Sequence, residues 1–169
     1  MSSLNEKIIP FQRKINNIIT DLLSEGTYED IEQLLPMAQE MHDTSIYKDT
    51  HYSHDVVREY ASRFVGNPNN YFKVYIRNDT PVAYLLGYIT NYLWGNDLLA
   101  QEELLFTDQS SQLAGFKLLK DFEKWAKEKG CKEVNYSVTY AGAPNEQYDK
   151  VMTRMGYTKQ GAIYKKGIV

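Results

Sequence analysis

The sequence predicts an α/β domain of the α+β kind, built on a mixed, mostly antiparallel sheet. Three observations predict it. Up to about residue 65 the apolar residues recur at helical spacing, whereas from Tyr71 to Phe106 they alternate as in strands. Those strands follow one another with short connections, as in an antiparallel meander. Beyond Phe106 a short polar turn leads at once into a strongly amphipathic helix.

The elements follow in order. In residues 1–26, Ile15, Ile18, Ile19, Leu22 and Leu23 have helical spacing, while Pro10 blocks a helix running through from the start. This segment is read as an N-terminal extension that supplies a first strand or helix, and Ser24-Glu25-Gly26 ends it. From Thr27, an N-cap residue type, Ile31, Leu34, Leu35, Ala38 and Met41 mark a helix. Residues Tyr47 to Tyr52 read as loop. A second helix starts at Ser53 with Val56, Val57, Tyr60, Ala61 and Phe64 on one face, and ends near Gly66-Asn67-Pro68.

Tyr71 to Ile76 is the first strand of the meander, closed by a tight turn at Asn78-Asp79. Val82 to Tyr92 and Leu98 to Phe106 follow, joined across Trp94-Gly95-Asn96-Asp97. The next helix carries Gly115, Leu118, Leu119, Phe122, Trp125 and Ala126 as one stripe, with lysines outside, a Glu123/Lys127 pair four apart and Gly130 as its stop. Glu133 to Thr139 alternates as a strand, a helix runs from about Asn145 to Met155-Gly156, and Tyr157 to Ile168 reads as one or two short strands around Gly161.

At 169 residues the chain is read as one domain over 27–169 after the extension. An apolar fraction of 43% fits a packed core, and a net charge of -3 gives no overall pull toward nucleic acid or anionic membrane. Lys159, Lys165 and Lys166 read as a solvated face. No run approaches the ~20 apolar residues of a membrane span, and no signal-peptide region stands at the N-terminus, so a cytoplasmic protein is expected. The single cysteine, Cys131, excludes an intramolecular disulfide and reads as a structural thiol. His51 and His54 have ligand-like spacing with no second pair to complete a zinc site, so no metal is expected. Phosphate-loop, dinucleotide and nucleophile-elbow motifs are missing from the sequence.

The stretch Glu102-Glu103-Leu104-Leu105-Phe106-Thr107-Asp108-Gln109-Ser110-Ser111-Gln112-Leu113-Ala114-Gly115 is the most informative. A helix that begins just past a strand end offers unpaired main-chain N–H groups and the positive end of its dipole, a seat for an anion such as a pyrophosphate.

The order helix, helix, three-strand meander, helix, strand, helix, strand resembles that of the GNAT superfamily of acyl-CoA-dependent N-acetyltransferases. It looks most like the divergent members often encoded by bacteriophages. The resemblance covers about residues 27–166 and rests on three stretches. QEELLFTDQSSQLAGFKLLKDFEKWAKEKG stands where the family has its cofactor strand, loop and helix. NEQYDKVMTRMGY is similar to the family pattern N-x-x-A-x-x-L-Y-x-x-x-G-F, and GAIYKKG is similar to the closing strand.

The resemblance implies a central sheet flanked by helices on both faces and acetyl-CoA as co-substrate. Leu105 and Phe106 would hold the pantetheine arm, and Ser111, Gln112, Leu113, Ala114 and Gly115 the pyrophosphate. Asn145 would contact the cofactor, or else cap the last helix. Glu103 would be the general base, with Glu102 the alternative, since successive strand residues point to opposite faces. Against the family's [QR]-x-x-G-x-[GA] loop, Ser110 replaces the Arg or Gln and Leu113 the first Gly, and only Gly115 matches. Met152 stands where the family often has a tyrosine acid, and Tyr148, one turn earlier, would replace it only if the helix is shifted. The acceptor would be a small-molecule or protein amine; a nucleobase amine is disfavoured by the acidic balance. A fold kept without catalysis, as an acyl-CoA-binding or structural protein of a viral particle, is the other reading, and a homodimer is a third form of partnership.

Overall fold

The computed structural model describes residues 21–108, 111–137 and 146–161. Five strands form one sheet in the order β1 (Asp21–Glu25), β2 (Asn70–Arg77), β3 (Thr80–Asn91), β4 (Leu98–Thr107) and β5 (Glu133–Asn135). The first four are antiparallel neighbours, and β5 lies parallel to β4. The helices are α1 (Tyr28–Thr44), α2 (His54–Ser62), α3 (Gln112–Glu128) and α4 (Glu146–Arg154). The mixed, mostly antiparallel α/β architecture is the one expected from the sequence.

Local chemistry sets the helix starts. Thr27 caps α1 in a reciprocal box, its Oγ1 accepting from Asp30 N–H at 3.2 Å while Asp30 Oδ2 accepts from Thr27 N–H at 2.8 Å. Ser53 caps α2 by accepting from Val56 N–H. Asn78 and Asp79 both take positive φ, the backbone a two-residue hairpin between twisted strands requires.

Helices cover both faces. On one, Ile31 and Leu34 of α1 and Phe64 just past α2 pack on Phe72, Val74, Tyr84 and Leu86 of the sheet. On the other, Ala114, Leu118, Leu119, Phe122 and Ala126 of α3 pack on Tyr71, Tyr75, Ala83, Leu85 and Ala100. The middle of β3, Ala83 to Gly87, is therefore buried on both sides. Gly87 is small for a reason: a Cβ there would meet the Phe122 ring at 2.6 Å and Gln101 O at 3.0 Å.

Several expectations are corrected. Leu22 and Leu23 do not belong to a helix; Asp21–Glu25 pairs in register with Arg77–Lys73, so pairing along a sheet edge overrides helical spacing over a few residues. Val56 is exposed rather than on the packed face of α2, which spans only His54–Ser62. Glu123 takes Lys120 and Tyr157 as partners in place of Lys127. The strand expected over Glu133–Thr139 is β5 up to Asn135, with Tyr136 and Ser137 outside it and residues from 138 outside the described ones. Residues 157–161 form no strand; the rest of that expected element, like residues 1–20, lies outside the described residues. No helix among the described residues is long and apolar enough to cross a membrane.

Candidate active site

The sheet opens at β4. Its parallel pairing with β5 covers only Leu99↔Glu133, Ala100↔Val134 and Gln101↔Asn135, yet β4 runs on to Thr107. Among the described residues, nothing on the β5 side pairs with β4 past Gln101. An open strand edge of this kind presents main-chain donors and acceptors to an extended ligand.

The opening coincides with a β-bulge. In the β3–β4 ladder Leu86 faces Leu104 and Gly87 faces Glu102, so Glu103 is an extra residue in β4 without a partner across the ladder. The bulge resets the alternation. Glu102 lies on the α3 face with Ala100 and is 5% exposed, whereas Glu103 points to the α1/α2 face, as do Leu104 and Phe106. Leu105 returns to the α3 side.

The two carboxyl groups thus live in different surroundings. Glu103 is exposed and accepts a 2.5 Å hydrogen bond from the Tyr60 hydroxyl of α2. Burial, together with that acidic partner, raises the Tyr60 pKa, so this phenol stays a donor. Burial pushes the Glu102 carboxyl up to about 7, against the opposing pull of N–H donors from Ser137 and Leu105. Ser137 N–H donates to Glu102 Oε2 at 3.1 Å.

β4 leads into the corner at the start of α3. Ser111 occupies the N-cap position and is buried, but its Oγ makes no cap hydrogen bond and instead accepts from Arg77 Nη1 at 3.1 Å. Arg77, at the end of β2, also donates to Asp21 at 3.0 Å. That guanidinium holds the half-buried Asp21 carboxyl below its usual range. Lys117, in the second turn of α3, donates to Tyr75 Oη at 2.6 Å. Two of the main-chain donors expected here are engaged, Ser111 N–H with Asp108 O and Ala114 N–H with Ser111 O.

Leu113 does not fill the corner; it is 62% exposed. Ala114 and Gly115 are buried, and a Cβ on Gly115 would stand 2.6 Å from Thr107 Cγ2, so this glycine lets the helix rest on the strand it follows. Met152, on α4, is buried. Ser110 and Asn145 lie outside the described residues, as do the side chains of Gln112 and Tyr148.

The structure therefore brings Glu102, Glu103, Leu105 and Phe106 together on one strand that runs into Ser111–Gly115. Sequence reasoning missed three participants. Tyr60 was read as one apolar face residue among several, and Ser137 acts through its main chain, which carries no side-chain signal. Arg77 was signalled only by being a lone cation at a strand end. Among the described residues no group of three His, Cys, Asp or Glu side chains could hold a metal ion.

No protein-family model and no curated protein matches the chain. Solved structures do. A transcriptional regulator from Bacillus halodurans aligns with a TM-score of 0.68 at 19% identity, over 88% of this chain and 99% of its own. AAC(6')-Iy, solved with a CoA-linked bisubstrate analogue of acetylneamine, gives 0.66 at 14% identity over 88% and 99%. A GNAT family acetyltransferase from Staphylococcus aureus gives 0.61 at 11% identity over 89% and 100%. The chain has the fold of the GNAT acetyltransferases.

Proposed function

We propose that this chain is an N-acyltransferase that moves an acetyl group from acetyl-CoA to an amine by direct attack. The observation that carries the reading is the bulged β4, open along its edge past Gln101 and running into the N-terminus of α3. Acetyl-CoA would lie along that edge, with the main chain near Leu105 and Phe106 bonding the pantetheine amides. The pyrophosphate would sit at Ser111–Gly115, using N–H groups of the first turn such as those of Gln112 and Leu113. Arg77 supplies the cation that the loop lacks at Ser110, from the end of β2, two strands away in the sheet, and through Ser111.

The amine would enter from the α1/α2 side, where Glu103 and Tyr60 meet. Glu103 takes one proton of the incoming ammonium, and the freed nitrogen attacks the thioester carbonyl carbon. As the C–S bond breaks, the nitrogen releases its second proton to solvent and the amide forms. The thiolate leaves and is protonated from solvent, Met152 having no proton to give. Thiols ionise near about 8.5, so a departing thiolate is tolerable without an acid. The cytoplasm is the setting this reading assumes, and phage origin is carried by the sequence resemblance alone.

A second reading has a specific observation in its favour. Met152 is not only aprotic but buried, which suits a fold retained for acyl-CoA binding or for a structural role without turnover. Calorimetry with acetyl-CoA and with CoA tests the shared premise. Thiol release over a panel of amines then separates the readings: turnover abolished by Glu103→Gln supports the enzyme, and tight binding without turnover supports the alternative.

A further inference from the structure

Glu102 is a buried acid with no cation beside it among the described residues. Other buried or half-buried acids have evident reasons: Asp30 closes the α1 capping box, Asp21 meets Arg77, Asp121 meets Lys73, Glu123 meets Lys120 and Asp149 meets Lys159. Among the described residues no cation contributes to the ionisation of Glu102; its one charged neighbour is Glu103. An ion buried in this way is costly and calls for a cause.

Position supplies one. Ser137 N–H donates to Glu102 Oε2, and the main-chain N–H of Leu105 faces the same carboxyl. Ser137 lies just beyond β5 and Leu105 lies on β4, so these donors stand on opposite walls of the gap that opens past Gln101 and Asn135. Buried N–H groups need acceptors. Here a side chain does what main-chain pairing does nearer the start of the two strands. Leu105 is also where the proposed pantetheine arm would bind.

We infer that Glu102 is a displaceable stopper: its carboxylate holds the Ser137 N–H and stands before that of Leu105, donors that an acyl-CoA arm needs, so acyl-CoA binds in competition with it. The inference rests on the acyl-CoA reading of the same slot. An extended amide chain carries carbonyl oxygens that satisfy the same donors, and it frees the carboxylate to turn toward water. No covalent step is involved. The competitor weakens when its charge is removed, since a neutral carboxyl accepts less strongly. Among the described residues the titratable groups nearest on this side are Cys131, Tyr136, and Tyr157 with its partner Glu123 of α3. The cations of the α3 face, Lys73 and Lys117, are engaged with Asp121 and Tyr75, and neither acts on Glu102.

Calorimetric titration of acetyl-CoA into the full chain, Glu102→Gln and Glu102→Ala decides it, with a thermal melt of each. At about pH 8 Glu102→Ala should bind roughly ten-fold more tightly than wild type, the worth of one bond to an ion, and Glu102→Gln should fall between them. Wild-type affinity should rise toward about pH 6, where the carboxyl becomes neutral, by more than that of Glu102→Gln, which reports how much the CoA phosphates themselves contribute. Equal affinity and equal pH dependence in all folded forms would overturn the inference and leave the acyl-CoA reading standing. Binding weakened by Glu102→Ala with an unchanged melt would also overturn it. Should the alanine variant fail to fold, the near-isosteric glutamine variant decides alone. If no form binds acetyl-CoA, both the inference and the reading beneath it fall.

Discussion

Adding one methyl group at Gly115 tests whether α3 truly rests on β4. An ideal Cβ at this position lies 2.6 Å from Thr107 Cγ2, about 0.8 Å short of the 3.4 Å at which ordinary contact begins. Thr107 is β-branched and stiff at χ1, so it cannot swing aside cheaply. Overpacking of this kind costs about 1–3 kcal/mol, offset by about 1 kcal/mol of improved helix propensity when alanine replaces glycine. Gly115→Ala should therefore be destabilising by up to about 2 kcal/mol, a fall in Tm of up to roughly 8 °C for a chain of this size. Truncating the partner reverses the sign. With Thr107→Ala in place, the new Cβ meets its remaining neighbours, Leu105 Cδ2 and Thr107 Cβ, at 3.8 Å, and the propensity gain should then stabilise the double variant relative to Thr107→Ala alone. Urea unfolding of the four proteins in the cycle measures both steps. A Gly115→Ala change that stabilises in both backgrounds would refute the close helix–strand contact and the corner built on it.

Other outcomes follow from the same geometry. Arg77→Leu should weaken acetyl-CoA binding about ten-fold by removing the cation beside Ser111, read by calorimetry, with the deficit shrinking at high salt. Asp30→Ala leaves the Thr27 N–H and hydroxyl without their acceptor and should cost about 1–2 kcal/mol in chemical unfolding. For Glu102 the pH dependence has a definite sign. Its folded pKa is about 7 against 4.5 for the free group, so the native state holds the extra proton between these values. Its contribution is favourable below the lower value and is lost as pH rises through the upper one, on the order of 3 kcal/mol in all. The stability gap between wild type and Glu102→Gln should follow that course between about pH 4.5 and pH 7 in urea titrations, and a gap independent of pH would show that the carboxyl is not buried as described.

Much of the fold was legible because it is written in local patterns. Thr27 and Ser53 announce their helices by residue type, Asn78-Asp79 announces a hairpin, and the Leu118/Phe122/Trp125 stripe has a period only a helix satisfies. β1 was legible only as an open choice between strand and helix: its five residues owe their extended state to the edge of β2, information that lies some fifty residues away. The site was half legible for the same reason. The strand–turn–helix corner is contiguous in sequence, so Ser111–Gly115 stood out. The bulge at Glu103 is a fact about register against β3, and alternation alone separates Glu102 from Glu103 without saying which is buried. Tyr60, 43 residues before Glu103, and Arg77, 34 before Ser111, are brought to the site by tertiary packing.

The unpaired residue at position 103 divides β4 into two pieces whose inside–outside phase is set independently. Because side chains alternate with period two, a one-residue slip ordinarily inverts a whole strand. Here a deletion of Glu103 would instead leave Glu102 opposite Gly87 and Leu104 opposite Leu86, so every other side chain of β4 would keep its face and only the bulge would be lost. A deletion or insertion at any other position of β4 would invert one of the two pieces and rewire which core it serves. Insertions and deletions in descendants of this sequence should accordingly collect in the Tyr92–Asp97 connection, where nothing downstream depends on the count.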